Sequence, residues 1–289
     1  MSDNKVAIIV VTYNPDILVL QNNIATYMQQ ANLTLLVDNS DDNSIRSNIS
    51  KFADSLSNVK LIQLPENTGI ANAQNVGIEF LIVHGFEYYI EIDQDTQLPE
   101  DYVASMIESF VLLSNDGHKI GGIGPIAISK ETGEPYHRRT KNIGIIEVPQ
   151  TLSSGFFSSI EVCKQVGSKN NDFFIDYVDW EWCWRARRLG YNIYVNTDIN
   201  ITHMLGDGHK QFLFFKIGIS SPIREYYTYR NSLYLIFGNI APASWKIKRI
   251  FIHLLKPLLY LSLPDGFLRI RYLSKGLIDF LLGKKGKYN

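Results

Sequence analysis

Tyr88-Tyr89-Ile90-Glu91-Ile92-Asp93-Gln94-Asp95-Thr96 reads as a buried strand that ends by presenting two carboxylates one residue apart. Residues i and i+2 of an extended segment point to the same side, so Asp93 and Asp95 can address one cation or one ligand if the extension continues. Two carboxylates this close repel each other unless a proton or a metal lies between them. Oxygen ligands of this kind suit Mg2+ or Mn2+, ions that often ride on the phosphate groups of a substrate. Taken alone, the pattern is also that of a strand running into a polar turn, so the surrounding chain has to decide.

Upstream, Val6-Ala7-Ile8-Ile9-Val10-Val11 is a continuous apolar run, the pattern of a strand covered on both faces of a parallel sheet. It stops at Thr12-Tyr13-Asn14-Pro15, and the periodicity predicts a helix over 16–30. A strand over 33–37 ends at Asp38-Asn39-Ser40, and a helix over 44–55 leads into a third strand over 59–64. That strand ends at Glu66-Asn67-Thr68-Gly69, followed by a helix over 70–83. Strands alternating with helices in this way predict a doubly wound parallel sheet of the α/β class, in which ligands bind at the carboxyl ends of the strands. Thr12, Tyr13, Asn14, Asp38, Asn67, Gly69, Asp93 and Asp95 all fall at those ends. Each alone is also an ordinary turn or cap residue; their convergence is the stronger signal.

Downstream, Gly121-Gly122-Ile123-Gly124-Pro125 opens a turn-rich strand and Thr132-Gly133-Glu134 marks a hairpin, so antiparallel strands are expected in this half. Ser153-Ser154-Gly155 is either a plain loop or a place where bare backbone meets a substrate. The dense stretch from Asp172 to Arg188 predicts a helix with Asp179 as its N-cap and Gly190 as its stop. Asp179 would be a base only if it faces the ligand edge, with Glu181 beside it. Trp180 and Trp184, at i and i+4, are expected in the core. His203 follows an apolar strand and is either structural or a metal ligand, and Gly206-Asp207-Gly208 follows as a loop.

The chain has 289 residues and a net charge of −1, divided unevenly. Residues 245–289 hold ten Lys or Arg against two Asp. There, cations interleave with Phe251, Ile252, Leu254, Leu255, Leu258 and Leu259 in helical segments that Pro257 and Pro264-Asp265-Gly266 are expected to break. Basic amphipathic helices of this kind lie on anionic membrane surfaces; a packed helical pair or a second copy of the chain would also explain them. Two cysteines, Cys163 and Cys183, form no disulfide framework, and neither a signal peptide nor a spanning segment is read from the sequence. A cytoplasmic protein, peripheral on the inner face of the membrane, is the expectation. The acidic ligand edge argues against nucleic-acid binding.

Taken together, Val10-Val11-Thr12-Tyr13-Asn14, Val37-Asp38-Asn39-Ser40, Asn67-Thr68-Gly69-Ile70-Ala71 with Asn75-Val76-Gly77, Asp93-Gln94-Asp95, Asp179 to Arg185 and His203 resemble family 2 glycosyltransferases of the GT-A fold. Within that family the chain is most similar to bacterial rhamnosyltransferases of cell-surface polysaccharide synthesis. The resemblance implies a nucleotide site at Thr12, Tyr13, Asn14, Asp38, Asn67, Gly69 and Asp93. It implies a divalent metal, Mg2+ or Mn2+, on Asp95 and His203, and a general base at Asp179. The acid that precedes that base in the family is Val178 here, so Glu181 is expected to take its place. Tyr229-Arg230-Asn231 resembles a motif near the end of the transferase core. The implied reaction is inverting transfer of a sugar, L-rhamnose from dTDP-rhamnose, to a lipid-linked glycan. UDP-linked hexoses or N-acetylhexosamines, or a catalytically silent scaffold, are the alternatives. The division expected is 1–215 for the catalytic domain and 216–289 for a helical extension.

Overall fold

The computed structural model of the chain describes residues 5–130, 133–135, 143–203, 209–212, 215–218, 221–263 and 265–288. The apolar runs become four parallel strands, β1 (Val6–Thr12), β2 (Leu33–Asp38), β3 (Val59–Gln63) and β4 (Tyr88–Asp93), in the order β3-β2-β1-β4. Between them run α1 (Ile17–Ala25), α2 (Asn43–Asp54) and α3 (Ile70–Val83). Helix α1 is shorter than predicted: Asp16 caps it through the Val19 amide, and beyond Ala25 the chain continues to Gln30 as turns.

Register sets the active edge. Thr12 pairs with Asp38 and Val11 with Asp93, so the polar strand ends stand level with one another. Along β1 the side chains alternate between two covered faces: Val6, Ile8 and Val10 join one apolar cluster, Ala7 and Ile9 the other. Burial on both sides explains why these strands read as unbroken apolar runs.

The sheet is mixed and eight-stranded, within the expected α/β class. After α4 (Tyr102–Asn115) come β5 (Ile120–Ser129), β6 (Ile145–Val148), β7 (Phe156–Ser159), α5 (Ile160–Val166), α6 (Val178–Arg188) and β8 (Asn192–His203). Strand β7 inserts antiparallel between β4 and β5, β8 runs parallel to β5, and β6 closes the edge antiparallel to β8. Ile128 bridges Pro135 across the predicted hairpin; Thr132 and the Gly206-Asp207-Gly208 loop lie outside the described residues. β9 (His209–Phe212) and β10 (Phe215–Gly218) form a separate antiparallel pair. Gly155 proves structural: its φ is +81°, and an added Cβ would meet Pro125 and the Tyr102 hydroxyl.

Three helices follow, α7 (Pro222–Phe237), α8 (Ala243–Tyr260) and α9 (Gly266–Leu281). Pro257 does not break α8 as predicted. Proline forfeits one helix bond, but Lys256 pairs with buried Glu225 and Tyr260 is buried beyond it, so packing carries the helix through the last turn. Several cations of this basic segment turn toward buried carboxylates: Arg269 is buried, and Lys256 and Lys275 are half-buried. Lys256 and Arg269 face Glu225, and Lys275 holds Asp279, which is 2% exposed.

Candidate active site

A cleft of about 810 Å³ opens at the carboxyl ends of β1, β2 and β4 and is closed from the other side by the 174–180 segment and the C-terminal helices. Its first wall is built from the strand-end loops. Tyr13, Asn39, Asp41, Asn67, Gly69, Asp93, Gln94 and Asp95 line it. Gln94 locks the β1 and β4 loops together: its Oε1 accepts from the Tyr13 amide at 2.7 Å and its Nε2 donates to the Tyr13 carbonyl at 3.3 Å. The Tyr13 hydroxyl donates to Asp41. Asn39 Nδ2 donates to Asn67 Oδ1, which also accepts from the Gly69 amide, so the β2 and β3 loops are joined likewise.

Three residues expected at the nucleotide do not line the cleft: Thr12 and Asp38 lie beneath this wall, and Asn14 is exposed to one side. Thr12 and Asp38, paired in register and both fully buried, face the same way and bond to each other at 3.1 Å. The Asp38 carboxylate also accepts from the Ser40 amide and from Gln63 Nε2, which engages both oxygens within the protein. Asn14, at φ +42°, accepts from the Asp41 and Asp42 amides and does not line the cleft. Asn39, itself buried, and the exposed Asp41 line the cleft instead.

The second wall carries Asp179. Phe174, Asp176 and Tyr177 all have positive φ without being glycine, an accumulation that costs of order 1–3 kcal/mol per residue and persists only where the surroundings enforce it. The enforcement comes from α7. Arg230 and Asn231, both fully buried, aim their donors at the carbonyls of this segment. Arg230 Nη2 reaches Asp172 O at 3.2 Å, while Asn231 Nδ2 donates to Phe173 O, Ile175 O and Asp176 O at 2.9, 2.8 and 3.2 Å. Arg224 forms an ion pair with Asp176 at 2.9 Å, and Thr228 donates to the same carboxylate. Residues 286–288 complete the brace: the Gly286 amide donates to Asp172 O, and Arg230 Nη1 to Gly286 O. The helical extension is therefore built into the cleft, and a boundary at 215/216 does not separate the site from it.

Asp179 is not the N-cap predicted for α6. Tyr177 holds that position in a left-handed conformation, and Asp179 lies in the first turn with Oδ1 accepting the Trp180 amide. Released from capping, the carboxyl faces the cleft. Desolvation raises its pKa to about 6, opposed by the Trp180 amide and by Lys169 and reinforced by the nearby Asp93 charge. Glu181, two residues on, turns away: it is buried against Arg185 at 2.7 Å and does not line the cleft, so the support expected of it is absent. Trp184 is core, as expected, but Trp180 lines the cleft. Behind Asp179, Lys169 forms a buried ion pair with Glu91 at 3.0 Å, and Asn75 clasps the Lys169 backbone through both its amide atoms.

Asp93 and Asp95 share the cleft, and Gln97 bridges Thr202 in antiparallel fashion, which brings the β8 end carrying His203 alongside the loop after Asp95. The His203 side chain lies outside the described residues. Among those residues no group of three or more His, Cys, Asp or Glu stands ready to hold a metal. Two carboxylates at one edge nevertheless fit a hard cation that takes its remaining ligands from a substrate diphosphate. Sequence reasoning missed Asn39, Asp41, Gln94, Trp180, Arg224 and Arg249 as cleft residues. A direct signal existed only for Asn39, Asp41 and Gln94, which lie in the same polar loops.

The model for glycosyl transferase family 2 matches residues 7–159. The chain is 31% identical over 299 residues to the dTDP-rhamnosyl transferase RfbF of Shigella flexneri, with 99% of this chain and 97% of that one covered. The mannosyltransferase PcManGT of Pyrobaculum calidifontis, solved with GDP-Man and Mn2+, superposes with a TM-score of 0.60 at 14% identity, over 97% of this chain and 88% of that one. S. aureus TarS 1-349, solved with UDP-GlcNAc, gives 0.58 at 18% identity over 96% and 81%. At these identities the two structures speak for the fold alone.

Proposed function

The chain belongs to glycosyltransferase family 2, and on that premise we propose that it transfers a sugar with inversion, L-rhamnose from dTDP-rhamnose, to a hydroxyl of a lipid-linked glycan. The observation that carries the reading is the placement of Asp179 across one cleft from Asp93 and Asp95, with its carboxyl raised to about 6. A carboxylate of that pKa is ionised at neutral pH yet basic enough to accept a proton.

In this reading Tyr13, Asn67 and the Gly69 backbone hold the nucleotide, aided by Asn39 and Asp41, and Asp93 faces the ribose and diphosphate. Asp95, together with His203, would hold a Mg2+ or Mn2+ ion that offsets charge on the departing diphosphate, a contribution of several kcal/mol. The acceptor oxygen attacks the anomeric carbon from the face opposite the diphosphate. As the new C–O bond forms, the bond to the diphosphate oxygen breaks, its electron pair leaves with the diphosphate, and the acceptor proton passes to Asp179. Lys169 and Glu91 hold the charge environment behind that carboxyl. The dTDP-rhamnosyl transferase relative supports the donor assignment.

The outward face of α8 supports a peripheral membrane role on the cytoplasmic side. Phe251, Leu254, Leu255 and Leu258 are each more than 60% exposed on it, with Lys246 and Lys248 alongside. No described helix is long and apolar enough to cross a membrane.

A thermal-shift panel of dTDP-, UDP- and GDP-sugars, each with Mn2+ and again with EDTA, tests the proposal, because ligands that bind only the folded state raise its stability by mass action. dTDP-rhamnose is expected to give the largest shift, lost in EDTA. A larger shift with UDP-hexose or UDP-N-acetylhexosamine would replace the donor, and no shift with any nucleotide sugar would remove the reading.

A further inference from the structure

Helix α8 turns a second face inward, over the wall that carries Asp179. Trp245 and Arg249, one turn apart, close on Tyr177: the two rings lie 5.6 Å apart, and the Arg249 guanidinium is 5.2 Å from the Tyr177 ring and 5.2 Å from that of Trp245. Arg249 lines the cleft. Its situation differs from that of the other arginines on this side. Arg185 is paired with Glu181, Arg224 with Asp176, and Arg230 is bonded to backbone carbonyls. Arg249 enters none of the ion pairs among the described residues. Among the described residues its Nε is buried without a hydrogen-bond partner, and so is Nε1 of Trp245.

A cation drawn partly out of water needs compensation, and an unsatisfied buried donor costs about 1–3 kcal/mol. The two aromatic faces repay part of this, at roughly 0.5–2 kcal/mol, but stacking leaves the in-plane N–H groups of the guanidinium unused. Those groups form a rigid fork that fits two oxygens of one phosphate or carboxylate. Tyr177 is followed directly by Val178 and Asp179, so an oxyanion held by Arg249 would lie on the side of the cleft where the acceptor meets its base.

We infer that Arg249 makes the α8 side of the cleft an oxyanion subsite, and that the acceptor carries a phosphate or carboxylate near the hydroxyl that is glycosylated. The inference rests on the proposed function, which assigns this side to the acceptor. Two sources share the chemistry: the diphosphate of a lipid carrier and an acidic sugar.

The test uses the full chain loaded with dTDP and Mn2+, titrated by calorimetry with geranyl diphosphate, inorganic pyrophosphate or methyl glucuronide. Binding of at least one probe is expected, weakened tenfold or more by Arg249→Gln and less by Arg249→Lys, which keeps the charge but loses the fork. Both variants should bind dTDP within twofold of the wild-type affinity, which reports a folded donor side. Geranyl diphosphate binding tighter than pyrophosphate identifies a lipid diphosphate; binding of the glucuronide alone identifies an acidic sugar. Equal affinity in Arg249→Gln, or no probe binding to the loaded wild type, overturns the inference while dTDP binding leaves the proposed function standing. Loss of dTDP affinity in Arg249→Gln would move the residue to the donor side and overturn it too. A wild type that binds no nucleoside diphosphate would remove the proposed function itself.

Discussion

The two walls of the cleft reach the same edge by different routes. The strand-end wall is assembled from short loops that each follow their own strand, and its internal bonds, Tyr13 with Gln94 and Asn39 with Asn67, join neighbouring loops of the sheet. The Asp179 wall is one strained segment whose conformation is imposed from residues more than 50 positions away, by Arg230 and Asn231. The walls approach closely at Gly69, which, at φ +87°, places its neighbour's amide to donate to Phe174 O; a Cβ there would stand 2.5 Å from that carbonyl. One wall is held by sheet register and the other by a helix. Binding and chemistry can thus be disturbed separately.

The most severe test of that separation is Asp179→Asn. Turnover is expected to fall about 10²- to 10⁴-fold, the usual contribution of a general base, with dTDP affinity retained. Since the base works only when ionised and its pKa is raised to about 6, wild-type kcat/KM should climb with pH up to that region and level off above it. The variant should lack this limb. A variant that turns over at the wild-type rate would take the base away from Asp179.

Next in size is Arg230→Met. It removes a charge-assisted donor, orphans the carbonyl of Gly286 and leaves that of Asp172 with the Gly286 amide alone, at an expected cost of about 3 kcal/mol in urea unfolding. Sugar transfer should drop further than dTDP affinity, because the segment that relaxes carries Asp179. If both fall equally, the walls are one unit and the comparison fails. The smallest effect is expected farthest from the cleft. Leu254→Glu with Leu258→Glu, both on the outward face of α8, should weaken co-sedimentation with anionic liposomes roughly tenfold, since burying one leucine is worth about 1.5–3 kcal/mol. Transfer to a water-soluble acceptor should hardly change. Undiminished sedimentation would turn attention to a protein partner for that face.

Much of the strand-end wall was legible because its causes are local. Apolar runs that end in Thr-Tyr-Asn, Asp-Asn-Ser, Asn-Thr-Gly and Asp-Gln-Asp announce parallel strands with polar carboxyl ends, and strand register alone brings them level. The rest was not legible for equally physical reasons. Whether Asp38 meets a ligand or Thr12 and Gln63 depends on which way a strand-end side chain turns, and Asn39 and Asp41, one and three residues on, line the cleft in its place. Glu181 looked like a partner for Asp179, but two residues on a helix point to different sides. The Tyr229-Arg230-Asn231 stretch carried no readable role until its carbonyl partners came into view.

By itself the sequence determined the alternation of strands and helices, the edge at which ligands gather and the acidic chemistry of that edge. These follow from nearest-neighbour periodicity and from the residues that end each strand. Only the tertiary structure decided that Asp179 leaves its capping role to face the cleft, that Pro257 does not interrupt α8, and that Arg249 stacks on Tyr177 and enters no ion pair among the described residues. Each of these outcomes depends on contacts between distant segments, whose energies local sequence does not encode.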